Sequence, residues 1–407
     1  MRDASDVTYD CVVVGAGAAG VTTSRALAET GVEHVVLERA DIGNTWATQR
    51  WDAFRLNTPG SMNSLLGDVG PAEYSSRDET VQRLKHLAAD LPVRVRTAVT
   101  DVRRVGDVLR VTPAEDQLEA RTVVVASGPK NVALVPAAAA DLAGHVTAIN
   151  ADEYRNAGAL PDGGVLVVGG GQSGGQIAED LSLAGRTVWW STSRIGRYRA
   201  HYRGKALLDW HVEAGWWATP PEALPDPAAM RTPTPLIASN GRDLGIPQLG
   251  RMGVNLLARL TSVDGTQLRF EGDVNEFVAF GDQVAVSLEK VADAYIDAAG
   301  IHAPPPEPDG GRGPVDVPAR HDLDLDREGI TTVIWCTGFG GDYTYLPEVG
   351  KDAYGFPLLD RSGAAVGDPA VRFVGMPWQS TRASAILHGM PLDVRRAVDG
   401  VTAHIVR

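Results

Sequence analysis

Two glycine-rich turns, each set between an apolar run and the start of a helix, constrain this chain more than any other feature. The first, Gly15-Ala16-Gly17-Ala18-Ala19-Gly20, follows Cys11-Val12-Val13-Val14. The second, Gly169-Gly170-Gly171-Gln172-Ser173-Gly174, follows Val165-Leu166-Val167-Val168. A buried strand, a tight turn and a helix start together place a pyrophosphate on helix-terminal N–H groups. One such match is weak evidence. Two, each in the right context, argue for two dinucleotides in one protein and for electrons passing between them. The fold class that follows is α/β, with two dinucleotide-binding, Rossmann-like domains.

The tips of the second strands separate the two ligands. Val35-Val36-Leu37 ends at Glu38, 23 residues after Gly15, where an acidic side chain accepts hydrogen bonds from a ribose. That motif alone suits NAD or FAD, and its N-terminal position ahead of a second unit favours FAD. The residue 23 after Gly169 is Thr192, with Ser191 before it and Arg194 after it. Hydroxyls and a guanidinium attract a 2′-phosphate that a carboxylate would repel. The second ligand is therefore read as NADPH, with Arg197 and Arg199 as alternative phosphate readers.

Composition removes several function classes. The chain has 407 residues, enough for a large core and two or three domains. A net charge of −13 argues against a nucleic-acid partner, whose binding rests on neutralising phosphates. Cys11 and Cys336 are the only cysteines and lie far from any CxxC spacing, which excludes a dithiol disulfide reductase. None of the nine histidines forms a metal spacing or a Ser/His/Asp set, so no metal site is expected. The N-terminus reads as a strand and turn, not a leader, and no apolar run reaches the length needed to span a bilayer. A soluble, cytoplasmic protein without a membrane partner is expected, and a homo-oligomer is left open.

The simplest organisation is a FAD domain interrupted by an inserted NADP domain. Residues 1–158 and 328–407 would form the first. Residues 159–327 would form the second, with a Trp/Pro-rich insertion at about 195–253 that holds Trp210, Trp216 and Trp217. These tryptophans suggest an apolar or aromatic substrate. A surface insertion packed on its own tryptophans is the other reading. A Pro/Gly-rich stretch, 304–318, reads as a loop.

Further motifs give a resemblance. Gly43-Asn44-Thr45-Trp46 is followed by Arg50-Trp51-Asp52 and by Leu56-Asn57-Thr58-Pro59; Ala126-Ser127-Gly128 ends one apolar run, and Trp335-Cys336-Thr337-Gly338-Phe339 ends another. With the two turns, these motifs make nearly the whole chain resemble the class B flavin-containing monooxygenases. That group includes Baeyer–Villiger, N/S-oxygenating and auxin-forming enzymes. The resemblance implies FAD, NADPH, O2, a small-molecule substrate and a flavin C4a-(hydro)peroxide. It implies catalytic roles for Trp46, beside the isoalloxazine, and for Asn57, near flavin N5 and C4a. It also implies cofactor-binding roles for Gly15, Gly17, Gly20, Glu38, Arg39, Trp46, Asn57, Thr58, Val99, Ser127 and Gly128. In the second half it does so for Gly169, Gly171, Gln172, Ser173, Gly174, Ser191, Thr192, Arg194, Thr337 and Gly338.

One signature of that group is missing. Between its two units it carries Phe-x-Gly-x-x-x-His, but here the residue four after Gly144 is Ala148. This weakens a Baeyer–Villiger assignment more than it weakens the group assignment. Two other readings remain open from the residues: an oxidase or reductase passing electrons elsewhere, and a redox sensor that keeps both sites without turnover.

Overall fold

The computed structural model describes residues 8–113, 117–237 and 240–406. The chain opens with β1 (Thr8–Val14), α1 (Ala18–Glu29), β2 (His34–Leu37), α2 (Asn44–Thr48), α3 (Arg77–Leu87) and β3 (Val93–Arg94). The strands β4 (Val99–Val105), β5 (Val108–Pro113) and β6 (Leu118–Val125) follow, and β7 (Val132–Ala133) leads out of this unit. The second unit begins with β8 (Thr147–Asn150), β9 (Gly164–Val168), α4 (Gln172–Leu183) and β10 (Val188–Ser191). It continues through the hairpin β11 (His201–Tyr202) and β12 (Lys205–Ala206), then α5 (Leu207–Glu213), α6 (Ile246–Arg251) and β13 (Asn255–Leu257). It closes with β14 (Arg259–Asp264), β15 (Gln267–Glu271), α7 (Val274–Ala298), β16 (Asp322–Asp324) and β17 (Ile330–Trp335). The strand β18 (Phe339–Gly340) leads back to β19 (Ala364–Ala365), β20 (Asp368–Phe373) and α8 (Met390–Ile405).

Each unit is built on its own sheet. The first runs β19-β20-β6-β1-β2-β3, with β5 and β4 extending from β6. Its centre is parallel, with Val12 opposite Val35 on one side and Val123 on the other. Cys11, Val12 and Val13 are fully buried, as central parallel strands covered on both faces require. The second sheet runs β13-β10-β9-β17-β8 and is also parallel, with Val167 between Trp190 and Ile334.

Two strands fall on the other side of the division that the sequence suggests. The expected boundaries, 158 and 328, put Thr147–Asn150 and Ile330–Trp335 in the first domain. Both are instead strands of the second sheet, β8 and β17. The chain crosses between units at β7 and β18, which pair antiparallel with Phe339 opposite Ala133. The crossover sits there because β17 pairs in parallel with β9 on one side and β8 on the other, which extends the second sheet.

The sequence reading also has no counterpart for α7. Its 25 residues bury Phe277, Val278, Gly281, Ala285, Leu288, Ala292 and Ile296, an i, i+3/i+4 stripe, and Asp273 caps it by accepting from the Asn275 N–H. This stripe covers the Trp-rich insertion. Tyr198, Tyr202, Leu207, Trp210 and Leu288 form one buried cluster with Met62 of the first unit. The insertion packs on its own aromatics and on the first unit together.

Candidate functional site

The two glycine turns have the same local build. Gly15 adopts φ +104°, and a Cβ there would stand 2.7 Å from the Ala126 carbonyl oxygen. Gly169 adopts φ +131°, and a Cβ there would overlap the Cys336 carbonyl. Only glycine meets both demands at either position. Gly20 and Gly174 lie in the first turns of α1 and α4, where a Cβ would overlap the carbonyls of Gly15 and Gly169. Gly17 and Gly171 differ: an added Cβ meets nothing within 4 Å at either. Each N-cap glycine thus opens onto free space above a helix N-terminus, the place a pyrophosphate would occupy.

The segments facing the turns also correspond. Ala126-Ser127-Gly128 continues β6 beside Gly15, and Cys336-Thr337-Gly338 continues β17 beside Gly169. Gly128 and Gly338 both have left-handed backbone, φ +85° and +108°. Ser127 Oγ and Tyr345 Oη are 2.9 Å apart, Tyr343 Oη donates to the Gly128 carbonyl at 3.2 Å, and burial pushes the Tyr345 phenol up to about 12. Thr337 Oγ1 donates to the Leu134 carbonyl, which ties Thr337 and Gly338 to the crossover strands. The repeat of an apolar strand followed by x-Ser/Thr-Gly is visible in the sequence and is a signal that the sequence reading did not use as a pair.

At the first strand tip the Glu38 carboxylate is buried and accepts from the Ala16 N–H at 2.7 Å and the Ala40 N–H at 2.9 Å. It is therefore held beside the turn. Arg39 next to it is exposed. Thr97 donates its N–H to the Glu38 carbonyl, which brings the start of β4 and half-buried Val99 to the same edge. Trp46, on α2, is half-buried against the main core. Thr58 is a local turn residue: its Oγ1 donates to Asn63 Oδ1 at 2.8 Å, and Asn63 Nδ2 donates back to the Thr58 carbonyl.

At the second strand tip the expected residues divide. Ser191 is consumed internally: its Oγ donates to the Ala258 carbonyl at 2.8 Å and accepts from the Leu260 N–H at 3.1 Å. It pins β13 and β14 to β10 and is not free for a phosphate. Thr192 is buried with no partner for its Oγ1. Arg194 is exposed and makes no ion pair among the described residues. The alternative readers are excluded by geometry. Arg197 is buried on Asp282 and Asp309, and Arg199 is buried on Glu289 and the Glu307 carbonyl. They order the insertion.

Asn57 lies between the two units. Gln176 Nε2, one turn into α4, donates to Asn57 Oδ1 at 2.9 Å and reaches the Ile237 carbonyl at 3.4 Å. Gln172, four residues earlier on the same face, donates to the same carbonyl and accepts from the Ile237 N–H. Ser173 stays half-buried beside them. Gln176 and Ile237 were not among the expected residues; the i, i+4 repeat Gln172/Gln176 is the signal that finds the first.

The site fits two dinucleotides: open cradles at Gly17 and Gly171, a held carboxylate at one tip, an unpartnered hydroxyl and a free guanidinium at the other. It does not fit dithiol chemistry. Cys11 and Cys336 are unpaired and buried in different sheets, and burial pushes the Cys11 thiol up to about 12 and the Cys336 thiol further. In place of the missing histidine, Ala148 stands exposed on β8, and the nearby His145 meets Asp326 at the surface, 2.8 Å away. Among the described residues no group of three potential ligands gathers to hold a metal, and no helix is long and apolar enough to cross a membrane.

A family model described as pyridine nucleotide-disulphide oxidoreductase matches residues 12–209. The chain is 25% identical over 402 residues to an uncharacterized oxidoreductase CzcO of Bacillus subtilis, covering 96% of this chain and 98% of that protein. It is 32% identical over 188 residues to the rice indole-3-pyruvate monooxygenase YUCCA1, covering 43% of this chain and 45% of that one. Its fold is that of a flavin-containing monooxygenase from Stenotrophomonas maltophilia, with TM-score 0.65 and 22% identity over 98% of this chain and 99% of the other. With paired turns and strand tips that fit two dinucleotides, and no dithiol, the chain has the fold of a flavin-containing monooxygenase and is similar over part of its length to an indole-3-pyruvate monooxygenase.

Proposed function

We propose that this protein is an NADPH-dependent FAD monooxygenase that inserts one oxygen atom of O2 into a small apolar or aromatic organic substrate. The observation that carries the reading is the contrast between the two strand tips. Glu38 suits an unmodified ribose at the first turn, whereas the free Arg194 and the unpartnered Thr192 hydroxyl suit a 2′-phosphate at the second. FAD, once bound and reduced by NADPH, supplies the activation of O2; the chain supplies position and shelter.

The first turn and Glu38 would hold the FAD pyrophosphate and ribose, and Trp46 and Ser127 would border the flavin. Asn57 is oriented by Gln176. Because its Oδ1 already accepts a hydrogen bond, its amide N–H groups are the end left to face the reacting atoms. A neutral donor there can hold developing negative charge without carrying charge of its own. The Trp-rich insertion and α7 pack in one buried cluster with Met62, five residues after Asn57.

The test is stoichiometric. Purified protein loaded with FAD is given NADPH, O2 and a panel of aromatic amines, sulfides and ketones. One O2 and one NADPH consumed per oxygenated product supports the reading. NADPH oxidation that yields only H2O2, or passes to another acceptor, across the whole panel would make the protein an oxidase or reductase.

A further inference from the structure

The two units carry the same ladder step at the ends of their second strands. Leu37 of β2 lies opposite Arg94 of β3, and Ser191 of β10 lies opposite Leu257 of β13. One residue on, the Glu38 N–H donates to the Arg94 carbonyl at 2.9 Å and the Thr192 N–H to the Leu257 carbonyl at 3.0 Å. Two residues beyond each accepting carbonyl, the third strand brings an arginine to the tip, Arg96 in the first unit and Arg259 in the second. The repeat is therefore three strands deep, and Arg259 stands to Thr192 as Arg96 stands to Glu38.

The charges around the two arginines differ. Arg96 has Asp41 3.9 Å away, and the buried Glu38 carboxylate lies at the same tip. Arg259 is exposed and has no hydrogen bond or ion pair among the described residues, although Glu271 lies directly across from it on β15. No carboxylate occurs between Trp189 and Ile195, and Arg194, the other cation of this tip, is equally exposed and unpaired. Ser191 fixes Arg259 in place. Its bonds to the Ala258 carbonyl, 2.8 Å, and the Leu260 N–H, 3.1 Å, grip the backbone on either side of Arg259. The same tip holds the Thr192 hydroxyl, 2% exposed and without a partner. It faces the glycine turn, since a Cβ at Gly170 would stand 2.6 Å from Thr192 Oγ1. An unmet hydroxyl against the turn, beside two guanidiniums that no carboxylate engages, calls for a multiply charged oxyanion.

We propose that Arg259 is a second reader of the 2′-phosphate of NADPH, and that Ser191 is the residue that positions it. Arg194, from the loop after β10, and Arg259, from the start of β14, would share the phosphate, with the Thr192 hydroxyl as a neutral donor. This rests on the reading of the second turn as the NADPH site. It assigns cofactor selectivity to the third strand of the unit as well as to the second. Ser191, consumed in packing, takes part in recognition through its hold on Arg259.

The test uses half of the cofactor, so that no turnover is needed: calorimetric titration of the FAD-loaded protein with adenosine 2′,5′-bisphosphate and with 5′-AMP. The native protein should bind the bisphosphate about a hundredfold or more tightly than AMP, two charge-assisted contacts being at stake. Arg259→Ala should weaken the bisphosphate about tenfold or more, with AMP binding and melting temperature unchanged. Arg259→Lys should keep part of the affinity. Ser191→Ala should shift the ratio in the same direction by a smaller factor, and a native ratio in that variant would remove Ser191 from recognition. An unchanged ratio in Arg259→Ala would overturn the proposal and leave the NADPH reading standing. Equal loss of both ligands would also overturn it, making Arg259 a contact to the adenosine. A native protein that does not distinguish the two ligands would overturn the NADPH reading itself, and the proposal with it.

Discussion

Asn57 and Gln176 are bonded across the junction of the two units, with Gln176 Nε2 donating to Asn57 Oδ1 at 2.9 Å. One residue comes from the loop beside the first turn, the other from the helix that opens the second. The bond engages the Oδ1 end of the Asn57 amide. Asn57→Leu should therefore still bind FAD, whose pyrophosphate contacts lie elsewhere, and should still be reduced by NADPH. Oxygen transfer should fail instead, with NADPH consumption giving mainly H2O2. Gln176→Leu should show a milder form of the same defect, about tenfold or less in coupling, since it frees the amide without removing it. Normal coupling with a good substrate in both variants would return Asn57 to the role of a turn residue.

Substitutions at neighbouring glycines of the first turn should have opposite phenotypes. Gly17 has φ −78° and open space where a Cβ would lie. Gly17→Val should fold and yet be colourless, because the side chain would fill the pyrophosphate cradle. Gly20→Ala would drive its methyl into the Gly15 carbonyl and should cost about 1–3 kcal/mol or more in stability. Thermal unfolding and the flavin absorbance of the two variants separate these outcomes. A yellow Gly17→Val protein, or FMN in place of FAD in heat-released flavin, would remove the cofactor assignment.

Arg194 and Arg197, three residues apart, should also behave differently. Loss of a charge-assisted contact worth about 1.5–3 kcal/mol corresponds to about tenfold to a hundredfold in affinity. Arg194→Ala should raise the KM for NADPH by that factor and leave the KM for NADH nearly unchanged, with the melting temperature intact. Arg197→Ala strands Asp282 and Asp309, both largely buried, and should destabilise the protein by about 3–5 kcal/mol whichever nicotinamide is supplied. Equal KM losses for both nucleotides in Arg194→Ala would show that it does not read the 2′-phosphate.

His211 predicts an acid sensitivity of stability. It is fully buried between Tyr198 and the Leu288 carbonyl, and burial lowers its pKa to about 4 from an ordinary 6.5. Between those values the unfolded chain binds a proton that the folded chain does not. The folded state therefore loses stability as pH falls from about 6.5 to about 4, by roughly 3 kcal/mol in total. Urea unfolding of native protein and of His211→Gln over that range checks it. The native curve should fall more steeply by about that amount, and parallel curves would show that His211 does not titrate in this window.

Much of this protein is local in origin. The two cradles, their strands and Glu38 lie within about 30 residues of chain each, and the demands they make are steric and short-range, so they are legible in the order of residues. The same holds for the absence of a dithiol, since only Cys11 and Cys336 exist. What the sequence did not determine by itself depends on contacts between distant segments. That β8 and β17 join the second sheet follows from pairing across more than 150 residues, which no local pattern encodes. Ser191, Arg197 and Arg199 look identical in sequence to free hydroxyls and cations. Only the approach of Ala258, Asp282, Asp309 and Glu289 shows that they are consumed in packing. Whether a polar group is satisfied or waiting for a ligand is decided by what the whole chain brings within about 3 Å of it, and only the tertiary structure settles that distance.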